Sequence, residues 1–152
     1  MIEVKTIDKD QINFLIRELE QFEKNKAIKS GLQAGGRVFV TEGKKRLRQR
    51  LKNPKGYTGN LLESFTVRVK RNKPGVLSGF KRSSKNMIIG GGNHAHLVNQ
   101  GTKKRKTKSG VNRGVMPANY FWTDTESIDY NKAIEKVFLG VAAAVNKING
   151  LG

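Results

Sequence analysis

A chain of 152 residues with 30 lysines and arginines against 12 acids carries a net charge of +18, which raises self-repulsion and attracts polyanions. Hydrophobic residues make up 36% and charged residues 28%, so a modest core with much solvated or partner-facing surface is expected. Without cysteine there are no disulfides or thiolate metal sites, and no apolar run approaches the roughly 18–20 residues of a membrane span. Met1 to Asp10 alternates charge with apolar residues and does not resemble a signal peptide, so a soluble chain made in the cytosol is expected.

Ile2, Val4 and Thr6 alternate with charged residues, which allows a short strand or an extended arm. Asp8 or Asp10 then caps a helix whose Ile12, Leu15, Ile16, Leu19 and Phe22 share one face. A second helical pattern places Ile28, Leu32, Phe39, Leu47 and Leu51 near one stripe. Gly31, Gly35, Gly36 and Gly43 interrupt it, each costing about 1 kcal/mol against alanine. Their spacing fits either the close approach of another backbone or a break near Gly35-Gly36.

Asn53-Pro54-Lys55-Gly56 predicts the turn that ends this helix. Thr58 caps a short turn through Leu61 and Leu62. Phe65, Val67 and Val69 alternate with Thr66, Arg68 and Lys70, as in a half-buried strand. Pro74-Gly75 turns the chain into a second strand over about Val76 to Lys81, and Met87-Ile88-Ile89 predicts a third, closed by Gly90-Gly91-Gly92. His94 to Gln100 reads as a short helix with Gly101 at its left-handed C-terminal position. Lys103 to Arg113 holds six basic residues without apolar period and is expected to be a mobile loop. After Pro117, Thr123 or Thr125 starts a last helix, with Ile134, Val137, Phe138, Val141, Ala142, Val145 and Ile148 on one face. The expected fold is α+β: a small antiparallel sheet packed with long N-terminal and C-terminal helices. One domain over 1–152 is expected, with an arm and helix over 1–25, a core over 26–150 and the mobile basic loop over 102–116.

Charge is unevenly placed: Lys44 to Arg113 contains 20 basic residues and one acid, Glu63. This suits either a solvated basic surface or a face for nucleic acid or an acidic protein. The candidates for such a face are Lys44, Lys45, Arg46, Arg48 and Arg50 at a helix end, and Lys103, Lys104, Arg105 and Lys106 on the loop. Aromatic residues are 7% of the chain and absent from these runs, so any nucleic-acid contact is expected to be non-specific.

Catalytic chemistry has little to build on. His94 and His96, two residues apart on a short helix, diverge, and the nearest acids in sequence, Glu63 and Asp124, are far away. Asp124, Glu126 and Asp129 allow a Mg²⁺ reading, but their place at a helix start favours capping. Gly90-Gly91-Gly92 lacks the GxGxxG pattern and reads as a tight turn or a close approach of another chain. No enzyme, metal or cofactor is expected.

Three short segments carry a resemblance. Thr58-Gly59-Asn60-Leu61 with Ser64, after a basic helix and before a strand, resembles the "TGxLxxS" segment of the tailed-phage tail-completion, or head–tail joining, family. Ala95-His96-Leu97-Val98 followed by Gly101-Thr102 resembles that family's "YAxxVExGT", and Pro117-Ala118 with Phe121 resembles its "PAxPF". The chain departs from the pattern at His94, at Asn99 where an acid is usual, at Gln100, and at Asn119-Tyr120. The resemblance covers roughly Lys26 to Ile148. It implies a virion structural protein at the neck or tail, made in the host cytoplasm and assembling as a ring, expected as a hexamer. Its partners would be itself, connector or head-closure proteins, and tail-tube or terminator proteins. The basic middle would then line a lumen crossed by packaged DNA or pair with acidic neighbours. Thr58, Gly59, Asn60, Leu61, Ser64, Ala95, Val98, Gly101, Thr102, Pro117 and Phe121 are expected to shape the subunit.

Overall fold

A computed structural model describes residues 9–17, 19–51, 59–82 and 91–150, without side-chain placement at 9, 11 and 15. The elements run α1 (Lys9–Ile16), α2 (Gln21–Arg50), α3 (Asn60–Glu63), β1 (Phe65–Val69), β2 (Val76–Phe80), α4 (Ala95–Gln100), α5 (Phe121–Ile128) and α6 (Tyr130–Ile148). The fold is α+β, as expected. The Asn53-Pro54 turn, Thr58, the strand expected over Met87–Ile89 and the Leu15 side chain lie outside the described residues.

Helix α2 starts at a reciprocal capping box: the Glu20 side chain accepts from the backbone of Glu23, and the Glu23 side chain accepts from the Glu20 backbone N–H. Arg48 and Arg50 in its last turn complement the helix dipole. It then runs unbroken for 30 residues, straight through all four glycines. These glycines are contact points. A Cβ on Gly31 would lie 2.5 Å from Val141 Cγ2 and 2.6 Å from the Val137 carbonyl oxygen, and one on Gly35 would lie 2.4 Å from Val137 Cγ2. From the other side, a Cβ on Gly140 would stand 2.9 Å from Gly31 Cα. Close approach to α6 therefore outweighs the propensity cost of the glycines, and no break forms at Gly35-Gly36.

Ala133, Ile134, Val137, Val141 and Val145 form the buried stripe of α6, with Phe138 and Ile148 partly buried beside them. The last helix differs from expectation at its start. It is two helices, α5 and α6, that part at Asp129, whose carboxylate turns to Arg46 instead of capping. Ile12, Ile16 and Leu19 are buried as expected, but Phe22 is 78% exposed. It opens α2 after the chain bends at Leu19, so it leaves the α1 face.

Lys132 on α6 donates to Glu42 on α2 at 2.5 Å. That hydrogen bond, aided by the charges of Lys132, Lys45 and Arg46, holds the Glu42 carboxyl below its usual 4.5. The same bond raises Lys132 above 10.5. A lowered carboxyl contributes stability above its unfolded pKa and loses it as pH falls through the folded value; the raised amine loses its share only at strongly alkaline pH. Glu42→Gln is therefore expected to lower the melting temperature slightly at neutral pH. In a pH series the difference from wild type should vanish in acid, below the carboxyl range.

Strands β1 and β2 form an antiparallel pair with Phe65 opposite Phe80 and Val69 opposite Val76. Period-two alternation sends Phe65, Val67, Val76 and Ser78 towards α2. Gly36 fits against them: a Cβ there would lie 2.7 Å from Val76 Cγ2 and 2.8 Å from Val67 Cγ1. The buried Ser78 hydroxyl donates to the Gly36 carbonyl at 3.0 Å. Gly43, about two turns further along α2, lies under Phe65 and Trp122.

Candidate interface: three converging segments and a basic ribbon

Phe65, Phe80, Phe121 and Trp122 form an aromatic cluster with centroid separations of 4.7–6.0 Å, mostly edge-on. All three sequence segments meet around it.

In the first segment, Gly59 adopts φ +78° ahead of α3, which glycine does without strain. Asn60 is the first residue of α3 and half-buried, and Leu61 is buried. Ser64 is fully buried: its hydroxyl donates to the Leu61 carbonyl at 2.7 Å, and its own carbonyl accepts from Lys81 N–H at 2.7 Å. Gly92 closes over this corner, where a Cβ would lie 2.5 Å from Phe80 Cβ and 2.6 Å from the Ser64 hydroxyl. Gly92 thus marks a close approach within the chain, where the sequence suggested a turn or another chain; Gly90 lies outside the described residues.

The second and third segments are bound directly to each other. Ala95 is buried, and the half-buried Val98 accepts Asn119 N–H at 3.0 Å through its carbonyl. Gly101 ends α4 at φ +75°, ψ −176°, an extended mirror conformation open to glycine in place of the left-handed helical one expected. A Cβ there would sit 2.7 Å from both Met116 O and Ala118 N. Thr102 N–H donates to Met116 O at 2.9 Å, and Thr102 Oγ1 accepts Met116 N–H at 3.0 Å. Pro117 is exposed, while Phe121 is fully buried. Between them Tyr120 holds φ +54°, the one positive-φ non-glycine among the described residues, a strain of roughly 1–3 kcal/mol.

Asn99 secures this junction. Its Oδ1 accepts Trp122 N–H at 2.8 Å and Thr123 N–H at 3.2 Å, and its Nδ2 donates to Thr123 Oγ1 at 2.8 Å. It therefore satisfies first-turn donors of α5 from another element. A carboxylate in its place can accept the same two bonds. Asn99→Ala is expected to cost about 2 kcal/mol, and Asn99→Asp to retain most of the stability; urea unfolding of the two variants checks this.

The basic candidates divide. Arg46 donates to Thr125 Oγ1 at 2.6 Å and to Asp129 at 2.8 Å, with its side chain 17% exposed. Arg50 donates to Asn119 O at 2.8 Å and pairs with Asp124 at 2.6 Å. These two brace α2 against α5 and the third segment, so Arg46, expected to face a partner, is largely turned inward, while the Arg50 side chain is still 35% exposed. Lys44 is half-buried, with its ammonium 6.0 Å from the Phe65 ring centroid. Lys45, Arg48, Lys103, Lys104, Arg105 and Lys106 are exposed.

Asp124 lies in the first turn of α5, where the helix dipole favours an acid, but it does not hold the cap position, and it and Asp129 are engaged by arginines. Among the described residues no group of three His, Asp or Glu side chains could hold a metal ion, and His94 and His96 are both exposed. No helix is long and apolar enough to cross a membrane among these residues. The chain matches no protein-family profile, no curated protein and no solved structure.

Proposed function

We propose that the chain is a virion structural protein at the head–tail interface, completing the tail as a ring between connector and tail tube. The observation that carries this reading is the convergence of the three resembling segments on one aromatic cluster. The second and third are joined by backbone hydrogen bonds and the Gly101 contact, and the first borders the same cluster through Ser64 and Phe65.

Further support comes from what remains uncovered. Phe14, Phe22, Val115, Met116, Tyr120, Ile128 and Leu139 are all at least 41% exposed. A subunit that buries part of its apolar surface only against neighbours would carry such residues. The arrangement also suits a joint mechanically: a stiff α2–α6 pair supports a projecting segment, 102–116. Quantitative mass spectrometry of purified particles tests the reading. A small fixed copy number per particle, six in the arrangement the resemblance implies, is expected. Absence of the chain from particles contradicts it.

A further inference from the structure

The segment from Thr102 to Met116 leaves the body and returns to it in a single register. Thr102 N–H donates to Met116 O at 2.9 Å, Arg113 N–H to Arg105 O at 2.8 Å and Thr107 N–H to Val111 O at 2.8 Å. Lys106 bridges Asn112 in the same antiparallel alignment. The turn is closed by Gly110 N–H donating to Thr107 O, with Gly110 at φ +84°. The segment expected as a mobile loop is thus tied together at its base and is a short hairpin ribbon near its tip, over 105–107 and 111–113. At about 3.3 Å per residue, Thr102 to Gly110 spans up to roughly 26 Å.

This register assigns the charges to faces. With Lys106 opposite Asn112, alternation puts Lys106 on one face and Arg105 and Arg113 on the other, with Lys103 and Lys104 leading into the pair. These residues and Lys108 at the turn are exposed, and none makes an ion pair among the described residues. No acid occurs between Glu63 and Asp124 to neutralise them. Neither face is apolar, because Val111 shares its face with Arg105 and Arg113.

We propose that the ribbon 102–116 is a duplex-nucleic-acid-binding arm, lying along a groove and meeting phosphates on both walls without reading base sequence. Strands about 4.8 Å apart enter a major groove about 12 Å wide, which admits a two-stranded ribbon. Cations on both faces match a site with phosphates on both sides. The core of a protein interface, by contrast, is depleted in charge. Without an aromatic residue the ribbon has no platform for stacking unpaired bases. This assignment does not depend on the ring reading.

Fluorescence anisotropy with a mixed-sequence duplex across a salt series tests it. Six phosphate contacts should weaken wild-type binding about 10³-fold between about 50 and 200 mM salt. Changing Lys103, Lys104, Arg105 and Lys106 together to Gln should reduce that loss to about tenfold. A control with the same charge change at exposed Lys29, Arg37, Lys136 and Lys147 should keep nearly the wild-type slope. Circular dichroism checks that both variants fold. No duplex binding by the wild type at about 50 mM salt, equal losses in the two variants, or equal affinity for single strands each overturns the proposal. So does a ribbon variant that loses binding to polyglutamate while its duplex affinity is unchanged, which would identify an acidic-protein arm.

Discussion

Replacing Gly31 and Gly35 together by alanine is expected to lower stability by about 3–5 kcal/mol, or roughly 10 °C in melting temperature. On an exposed helix face the same changes would each stabilise by about 1 kcal/mol, so the sign itself is diagnostic. The Gly35 methyl would lie 2.4 Å from Val137 Cγ2 and 2.9 Å from the Ala133 carbonyl oxygen; the Gly31 methyl would lie 2.6 Å from the Val137 carbonyl oxygen. Valine on a helix has one strongly preferred rotamer, and the carbonyls are fixed in the α6 ladder. Relief therefore requires α2 and α6 to move apart, opening the stripe of Ala133, Val137 and Val141. Thermal unfolding followed by circular dichroism measures it. A raised melting temperature would mean that the helices are not in close contact at these glycines.

Arg46→Met is expected to cost about 3 kcal/mol, because it strands the Asp129 carboxylate in a site where its side chain is 11% exposed. It also removes the donor that reaches Thr125 Oγ1. Breaking a buried pair from one side costs more than replacing both partners with apolar groups. Arg46→Met/Asp129→Leu should accordingly recover most of the loss. Lys45→Met and Arg48→Met, in the same basic run but exposed, should change stability by no more than about 0.5 kcal/mol. Urea unfolding of the four variants separates these cases. Equal, small effects at Arg46 and Lys45 would contradict the internal role of Arg46.

These two predictions also mark where the sequence was legible. The apolar stripe of α6 and the alternation of β1 follow from periodicity alone, because one face of each is buried and the other is not. The glycines were ambiguous, since the same spacing marks a break or a contact, and only the partner helix decides. The run Lys44 to Arg50 reads as one charged face, yet the helix period divides it. Gly43, Leu47 and Arg50 continue the inward row, and Arg46 lies beside it, so stepping along by three and four would have found the two arginines that brace α5. Asn99 had a signal too, as the departure from an acid in the resembling segment, but its target, the start of α5, is more than twenty residues away. The break at Asp129 carried no glycine or proline to announce it. There the Asp129 carboxylate meets a long-range partner, Arg46 on α2.

The two large effects concern the frame that presents the ribbon, and the frame serves the proposed joint. Electron microscopy of particles made without this chain tests that claim most directly. The account predicts filled or empty heads alongside tails, unjoined or aberrant, with joining restored by the wild-type chain supplied in trans. Normal, infectious particles in its absence would contradict it.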